Sequence, residues 1–402
     1  MSRLVVRGAV VTRSLATLEL PATLARSLGA GHPWIYRDHV PRGFDPPSGS
    51  WVRVRAGSVS AVALWDAESP LALRVFSYDE VPDERWMAER VRDALELRRV
   101  TGVTERASAY RWIFGEGDRL PGIVVDRYAG FAVLTTDAPA FETLVPSVVS
   151  GLRSTIELAG IVQKTRGKAE GERLEVLAGR APPRDLIVEE HGLRFRANLR
   201  EGQKTGLFLD QRENRHTVES LASGRRVLNL FGYTGGFSVY AARGGASQVT
   251  TVDVAGGAIA DAAENFRLNG FDPDAHEFLA EDVFEYLHAA RERGERFDLV
   301  VCDPPSFARS RAHRDRALKA YARLHAAALR VVSPGGLYAA SSCTTQVGVD
   351  AFRDTLAQAS RAVRRSLQIV HDAGHAPDHP VLPAHPEGRY LKFIVLRAGD
   401  RP

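Results

Sequence analysis

Several short stretches of this sequence carry side chains that could act on a nucleotide-like ligand. The first is Asn229-Leu230-Phe231-Gly232-Tyr233-Thr234-Gly235-Gly236-Phe237, an apolar run that ends in a glycine-studded turn. A buried strand passing into a helix through glycines leaves unpaired N–H groups and a close-approach surface at its C-terminal end. Open α/β sheets bind nucleotides there. Asp253 ends the next apolar run, about twenty residues on, where a carboxylate can accept hydrogen bonds from a ribose diol. That spacing suits NAD, and it equally suits S-adenosylmethionine. The turn lacks a dinucleotide fingerprint, because Tyr233 and Thr234 stand where a pyrophosphate needs bare backbone. Asp282 follows the third short strand and could hold an adenine amino group. Asp303-Pro304-Pro305 places a carboxylate and a rigid turn after the fourth, and Cys343 ends the fifth. One acidic strand end is weak evidence, since it is often a helix N-cap; a series of them in chain order is strong.

These residues need a parallel sheet to bring them to one edge, and the surrounding pattern predicts one. Strands are expected at 227–231, 248–253, 277–280, 297–302, 337–341 and 390–397. Helices are expected at 236–243, 257–268, 283–291, 315–331 and near 349–363. Alternation of this kind implies a doubly wound α/β sheet. Ahead of it, 186–197 reads as a β-hairpin turning at His191-Gly192, and Gly202 to Arg212 as a glycine-containing loop leading into a helix. Residues 80–185 read as a small central α/β domain, opened by an arginine-rich helix from Glu84 to Thr101. Residues 1–78 read as a small β-rich module, with short runs at Leu4-Val5-Val6, 52–55, 59–65 and 73–76, and with Trp34 and Tyr36 in its core. Pro182-Pro183 marks the last boundary and puts 186–402 in one unit.

Length and composition agree with this division. A chain of 402 residues is too long for one average domain, and 44% hydrophobic with 25% charged residues is an ordinary globular balance. No apolar run is long enough to span a bilayer and no signal-peptide pattern opens the chain, so a cytoplasmic location is expected. Two cysteines, Cys302 and Cys343, make no disulfide framework, and no Cys/His spacing suggests a metal site. The net charge of +4 and pI near 9.1 permit a nucleic-acid partner without requiring one. A homodimer is equally permitted.

The motifs together resemble one family, the bacterial class I methyltransferases of large-subunit ribosomal RNA that carry an N-terminal PUA domain. The likeness runs through Gly31-His32-Pro33-Trp34, Glu116-Gly117-Asp118-Arg119-Leu120-Pro121-Gly122 and Glu190-His191-Gly192-Leu193-Arg194-Phe195. It continues through Lys204-Thr205-Gly206-Leu207-Phe208-Leu209-Asp210-Gln211-Arg212, the glycine turn, Asp303-Pro304-Pro305-Ser306-Phe307 and Ser342-Cys343-Thr344. The resemblance implies a PUA-like RNA-binding barrel, the central α/β domain, and a mostly parallel Rossmann-like methyltransferase domain. It further implies S-adenosylmethionine as cofactor and 23S ribosomal RNA as partner. Cofactor contacts are expected from Lys204, Asp210, Asn229, Phe231, Tyr233, Thr234, Gly235, Asp253, Asp282 and Asp303. RNA contacts are expected from His32, Trp34, Arg309 and Arg311.

The best-known members of that family make 5-methylcytosine, and one residue gives the chemistry a basis here. C5 of cytosine is a poor nucleophile until a thiolate adds at C6 and makes C5 enamine-like. Cys343, beside the Asp303 turn, is placed to add, and Asp303 to polarise the N3/N4 edge of the base. Cys302 lies within an apolar run and reads as core. Pro304-Pro305-Ser306 stands where many RNA cytosine-5 methyltransferases carry a second cysteine. The same stretch approaches the pattern of amino-group methyltransferases, which need no nucleophile. Methylation of an exocyclic amino group of guanine or adenine is therefore the competing expectation. A non-catalytic RNA-binding protein and an NAD-dependent oxidoreductase stand further off.

Overall fold

The structure is a computed structural model and describes residues 15–400 apart from 168–170, 201, 203, 309 and 310. The expected Leu4–Val6 strand and Arg309 lie outside the described residues. The N-terminal module contains β1 (Ala16–Glu19), α1 (Ala25–Gly29), β2 (Trp34–Tyr36), β3 (Trp51–Ala56), β4 (Val59–Trp65) and β5 (Leu71–Ser77). Its sheet runs β1-β3-β4-β5-β2 around a core that includes Leu28, Ile35, Val54, Ala63, Trp65 and Leu73. Trp34 and Tyr36 are not in that core. Tyr36 is 42% exposed, and Trp34 faces the other domains, because the inward position of so short a strand belongs to Ile35 alone.

The central domain opens with α2 (Glu84–Val100), N-capped by Asp83, whose carboxylate accepts from Trp86 N at 2.7 Å. It continues with α3 (Val103–Arg106), β6 (Ala109–Phe114), β7 (Ile123–Tyr128), β8 (Phe131–Thr136), α4 (Val145–Thr155), β9 (Gly160–Gly167) and β10 (Gly171–Gly179). The sheet order is β10-β9-β8-β7-β6. The β9–β10 hairpin was not expected from the sequence. One face of this sheet packs on α2 and α4 through Trp112, Ile113, Val125 and Leu134. The other face presents Ala109, Tyr128, Phe131 and Val133 to a core shared with the C-terminal domain. The central sheet is thus a wall of the next domain as well as a unit of its own.

The hairpin β11 (Ile187–Glu190) and β12 (Leu193–Arg196) turns at His191 (φ 48°) and Gly192 (φ 76°), the paired left-handed residues that a two-residue turn requires. Then come α5 (Arg212–Ser220), β13 (Arg226–Leu230), α6 (Gly236–Arg243), β14 (Gln248–Asp253), α7 (Gly256–Leu268), β15 (Glu277–Ala280), α8 (Val283–Glu292) and β16 (Phe297–Cys302). The chain closes with α9 (Arg314–Leu329), β17 (Val332–Cys343), α10 (Val349–Val363), β18 (Arg365–Ala373) and β19 (Leu391–Asp400). The seven-stranded sheet has the order β15-β14-β13-β16-β17-β19-β18. Leu228, Leu230, Val300 and Cys302 point to the α8–α9–α10 side, while Val227, Leu299 and Val301 point to the shared core. β13, β14, β15, β16 and β17 pair in parallel, as expected of a doubly wound sheet. β19 is antiparallel to both its neighbours, and β18 was unexpected. Between β18 and β19 stands one 3-10 turn (Pro386–Gly388) and no α-helix, so the chain returns alongside itself in the opposite sense.

Candidate active site

Parallel strands put their C-terminal ends on one edge, so the order β14-β13-β16-β17-β19 fixes the sequence of groups along it. Asp253, the 231–236 turn, Asp303, Cys343 and Tyr390 follow one another, each about 4.8 Å beyond the last. All of these groups but Tyr390 line a cavity of about 1030 Å³, open solvent included. The opposite wall comes from the hairpin and the loop behind it: Glu190, Phe195, Lys204, Leu207, Phe208 and Asp210.

The turn is held in an unusual shape from beneath. Phe231 (φ 57°) and Tyr233 (φ 46°) are left-handed without being glycine, a strained arrangement of the kind that collects at ligand sites. Asp253 fixes it: Oδ2 accepts from Tyr233 N at 2.9 Å and Oδ1 from Ala255 N at 2.9 Å. Asn229 is buried one layer below, donating to Ser238 Oγ at 2.9 Å, and Ser238 shares a 2.7 Å hydrogen bond with Thr251. Glycine at 232 is a packing necessity, since a Cβ there would sit 2.5 Å from Thr251 Cγ2. Gly235 is left-handed at φ 76°, and its added Cβ would sit 2.8 Å from that of Ala262.

At the other end, Gln211 Nε2 donates to Asp303 Oδ2 at 3.0 Å and to Ser341 Oγ at 2.8 Å. Burial, and next the nearby Asp210 carboxylate, push the Asp303 carboxyl up to about 6, against hydrogen bonds from Ser341 and Gln211 and the charge of Lys204. Burial and the two carboxylates Asp303 and Asp210 push the Cys343 thiol up to about 11, with Lys204 and Lys392 opposing. Asp210 behaves differently. Burial opposes its charge, yet Lys204, His379 and Tyr390 hold it well below the usual carboxylate range. Lys204 Nζ lies 2.8 Å and the Tyr390 hydroxyl 2.6 Å from its Oδ2. Cys302 is fully buried among the apolar side chains of its strand, as expected, and burial pushes its thiol up to about 12.

The expected site residues thus fall into distinct places. Lys204, Asp210, Phe231, Tyr233, Thr234, Asp253, Asp303 and Cys343 line the cavity, while Asn229 and Gly235 support it from below. Asp282 caps α8, its Oδ1 accepting from Phe284 N and Glu285 N. Trp34 and His32 meet the other domains: the indole donates to Glu116 Oε1 at 2.8 Å and packs 4.2 Å from the His385 ring, and His32 Nε2 lies 3.6 Å from Glu387. Arg311 opens a short turn ahead of α9. Gln211, Arg215, Glu190 and Tyr390 were missed. The first two lie inside or just beyond the Lys204–Arg212 motif, within the polar run Asp210 to Thr217, where no local pattern separates the buried members from the exposed ones.

The cavity's chemistry fits S-adenosylmethionine. Phe208, Phe237 and Val254 offer apolar surfaces of the kind an adenine and a methionine chain need, and the carboxylates of Asp253, Asp210 and Asp303 lining the same cavity can accept from ribose hydroxyls and offset a cation. Among the described residues no cluster of His, Cys, Asp or Glu could hold a metal ion, and no helix is long and apolar enough to cross a membrane.

Known proteins point the same way. A family described as S-adenosylmethionine-dependent methyltransferase matches residues 161–393, and a PUA-like domain matches residues 18–78. A protein of Deinococcus radiodurans named ribosomal RNA large subunit methyltransferase is 38% identical, over 91% of this chain and 93% of its own. One of Aeromonas salmonicida named ribosomal RNA large subunit methyltransferase I is 36% identical, over 93% of this chain and 97% of its own. The crystal structure of SMU.776 complexed with SAH shares the fold, with a TM-score of 0.86 at 24% identity over 95% of this chain and all of that one.

Proposed function

Because this chain belongs to the S-adenosylmethionine-dependent methyltransferase family, we propose that it methylates C5 of a cytosine in 23S ribosomal RNA through a covalent Cys343–C6 adduct. The names of the relatives and the PUA-like domain support ribosomal RNA as substrate. The observation that carries the product is the position of Cys343. It is the one thiol on the cavity wall, next along the edge from Asp303, whereas Cys302 is sealed in the core.

Burial makes both Asp303 and Cys343 weaker acids. A thiol held near 11 must lose its proton as it attacks, and a carboxyl near 6 is ionised at neutral pH and able to take it. Sγ then bonds to C6, the C5–C6 π electrons move toward C5 and the ring, and Asp303 passes the proton to N3. Bound in the cavity, S-adenosylmethionine supplies an electrophilic methyl on a sulfonium. C5 would take the methyl as the sulfonium C–S bond breaks, a base removes the C5 proton, the C5–H electrons restore the C5–C6 double bond and expel the Cys343 thiolate, and N3 returns its proton to that thiolate through Asp303. We assign the cofactor's binding to Phe231, Tyr233, Thr234 and Asp253, supported by Asn229 and Gly235, with Asp282 nearest the expected adenine. Arg309 and Arg311, next in sequence after the Asp303 turn, are assigned to the RNA backbone. His32 and Trp34 carry a domain-docking role in addition to any RNA contact. A competing reading, transfer to an exocyclic nitrogen, draws support from Asp303-Pro304-Pro305-Ser306-Phe307 and would leave Cys343 without a role. Mass mapping of ribosomal RNA decides the product. Cells lacking this chain are expected to lose one 5-methylcytosine from the large-subunit RNA, and loss of an N-methylated purine instead would overturn the assignment.

A further inference from the structure

Asp210 has an oxygen that the reaction above does not use. Its side chain is 2% exposed and its Oδ2 is doubly occupied, by Lys204 Nζ and the Tyr390 hydroxyl. Its Oδ1 is buried with no hydrogen-bond partner among the described residues, although the residue lines the cavity. A buried carboxylate oxygen without a donor is costly, and a ligand N–H would relieve it. The position of Asp210 says which ligand. Tyr390 immediately precedes β19, whose Leu391 pairs with Cys343, so the anchor stands next to the nucleophile. The cofactor turn follows β13, three strands from the β19 end at which Tyr390 stands, about 14 Å between those strands at the spacing of a sheet. The Asp210 carbonyl also accepts from Ala376 N at 3.0 Å, which fixes the backbone at the same end.

We propose that Asp210 Oδ1 accepts a hydrogen bond from the 4-amino group of the target cytosine, which makes Asp210 the residue that separates cytosine from uracil. The assignment rests on the cytosine-C5 reading above. A carboxylate only accepts, and cytosine presents N4–H as a donor where uracil presents the O4 acceptor, so uracil would face Asp210 lone pair to lone pair. Lys204 and Tyr390 keep Asp210 ionised, which leaves the more weakly acidic Asp303 free to exchange a proton with N3. One carboxylate reads the base and the other takes part in the chemistry.

The test uses the full chain, S-adenosylmethionine, and large-subunit RNA transcripts with either cytidine or uridine at the mapped position. The wild type is expected to favour cytidine in kcat/KM by at least about tenfold. Asp210→Asn, whose amide can donate to O4, is expected to reduce or invert that ratio by at least about tenfold while its calorimetric Kd for S-adenosylmethionine stays unchanged. A variant with an unchanged ratio and weakened cofactor binding would overturn the proposal, since Asp210 would then serve the cofactor's ammonium. Equal wild-type rates on cytidine and uridine would overturn it too, and that comparison does not depend on the variant folding. A wild type that methylates the transcript elsewhere than C5 removes the reading beneath the proposal, and the wild-type product alone reveals that case.

Discussion

At the scale of single residues, the site turns on two acidities displaced in the same direction by burial. In the proposed mechanism Asp303, held near 6, must be ionised to accept the Cys343 proton, so kcat/KM is expected to rise with pH through about 6. The sign of a perturbation follows. The Gln211 hydrogen bond favours the ionised carboxyl, so its loss in Gln211→Met raises the Asp303 pKa and moves the acid limb to higher pH. A pH–rate profile with the limb unmoved in an active variant would remove Asp303 from that step. Cys343 and Asp303 were legible in the sequence because each ends an apolar strand, and a parallel sheet brings strand ends to one edge. Gln211 and Tyr390 were not. Their partners lie 92 and 180 residues away in the chain, and no local pattern records such a meeting.

At the scale of elements, the cavity wall at 204–208 is held by the central domain rather than by its own. Thr205 Oγ1 donates to Asp126 Oδ2 at 2.6 Å and shares a 2.9 Å hydrogen bond with the Tyr128 hydroxyl, which also accepts from Leu207 N at 3.1 Å. Lys164 Nζ donates to the carbonyls of Gly202 and Lys204 at 2.8 and 2.7 Å. Asp126 is in turn fixed by Arg111 through Nε at 2.8 Å and Nη2 at 2.9 Å. Thr205→Val keeps the shape and removes the hydroxyl, and calorimetry is expected to show S-adenosylmethionine binding weakened about tenfold. Thr205→Ser should recover most of it; equal weakening in both variants would point to packing instead of the hydrogen bonds. The elements around the site were legible because β13 to β17 are apolar runs alternating with helical periodicity. β18 was not, for its side chains are mostly exposed or half-buried and show no alternation. β9 and β10 escaped for a related reason: charged and polar residues are scattered through Gln163-Lys164-Thr165-Arg166 and Glu172-Arg173-Leu174-Glu175.

At the scale of the molecule, hydrogen bonds from Arg98 and Arg111 to Asp378 tie the central and C-terminal parts together. Arg98 of α2 pairs with Asp118 at 2.7 Å through Nη2 and donates from the same nitrogen to the Asp378 carbonyl at 2.7 Å. Arg212 at the head of α5 reaches both Asp378 oxygens, at 3.1 and 3.0 Å, while Arg111 N donates to Asp378 Oδ2 at 2.9 Å. The segment between β18 and β19 thereby fastens the methyltransferase domain to the central one. Farther along that segment, His385 and Glu387 meet Trp34 and His32 of the N-terminal module. Pairs this deeply buried contribute position more surely than net stability, because desolvation offsets most of their attraction. Three parts were expected from the short alternating runs and the Pro182-Pro183 break, but the contacts between them could not be read. Those contacts depend on single charged residues whose partners lie in other domains. An RNA held by the N-terminal module would thus meet a catalytic edge already fixed in place.

The central claim is that Cys343 forms a bond to C6 of the target base, and the intact chain with a whole RNA tests it most directly. Large-subunit transcripts made with 5-fluorocytidine are incubated with S-adenosylmethionine and run on a denaturing gel. Fluorine cannot leave C5 as the proton does, so the wild type is expected to remain bound to the RNA through a thioether that maps to Cys343. The Cys343→Ala variant is expected to give no such complex and no methylation of ordinary RNA. Full methylation by Cys343→Ala, with no trapped wild-type complex, would contradict the claim and leave transfer to an exocyclic nitrogen as the chemistry of this site.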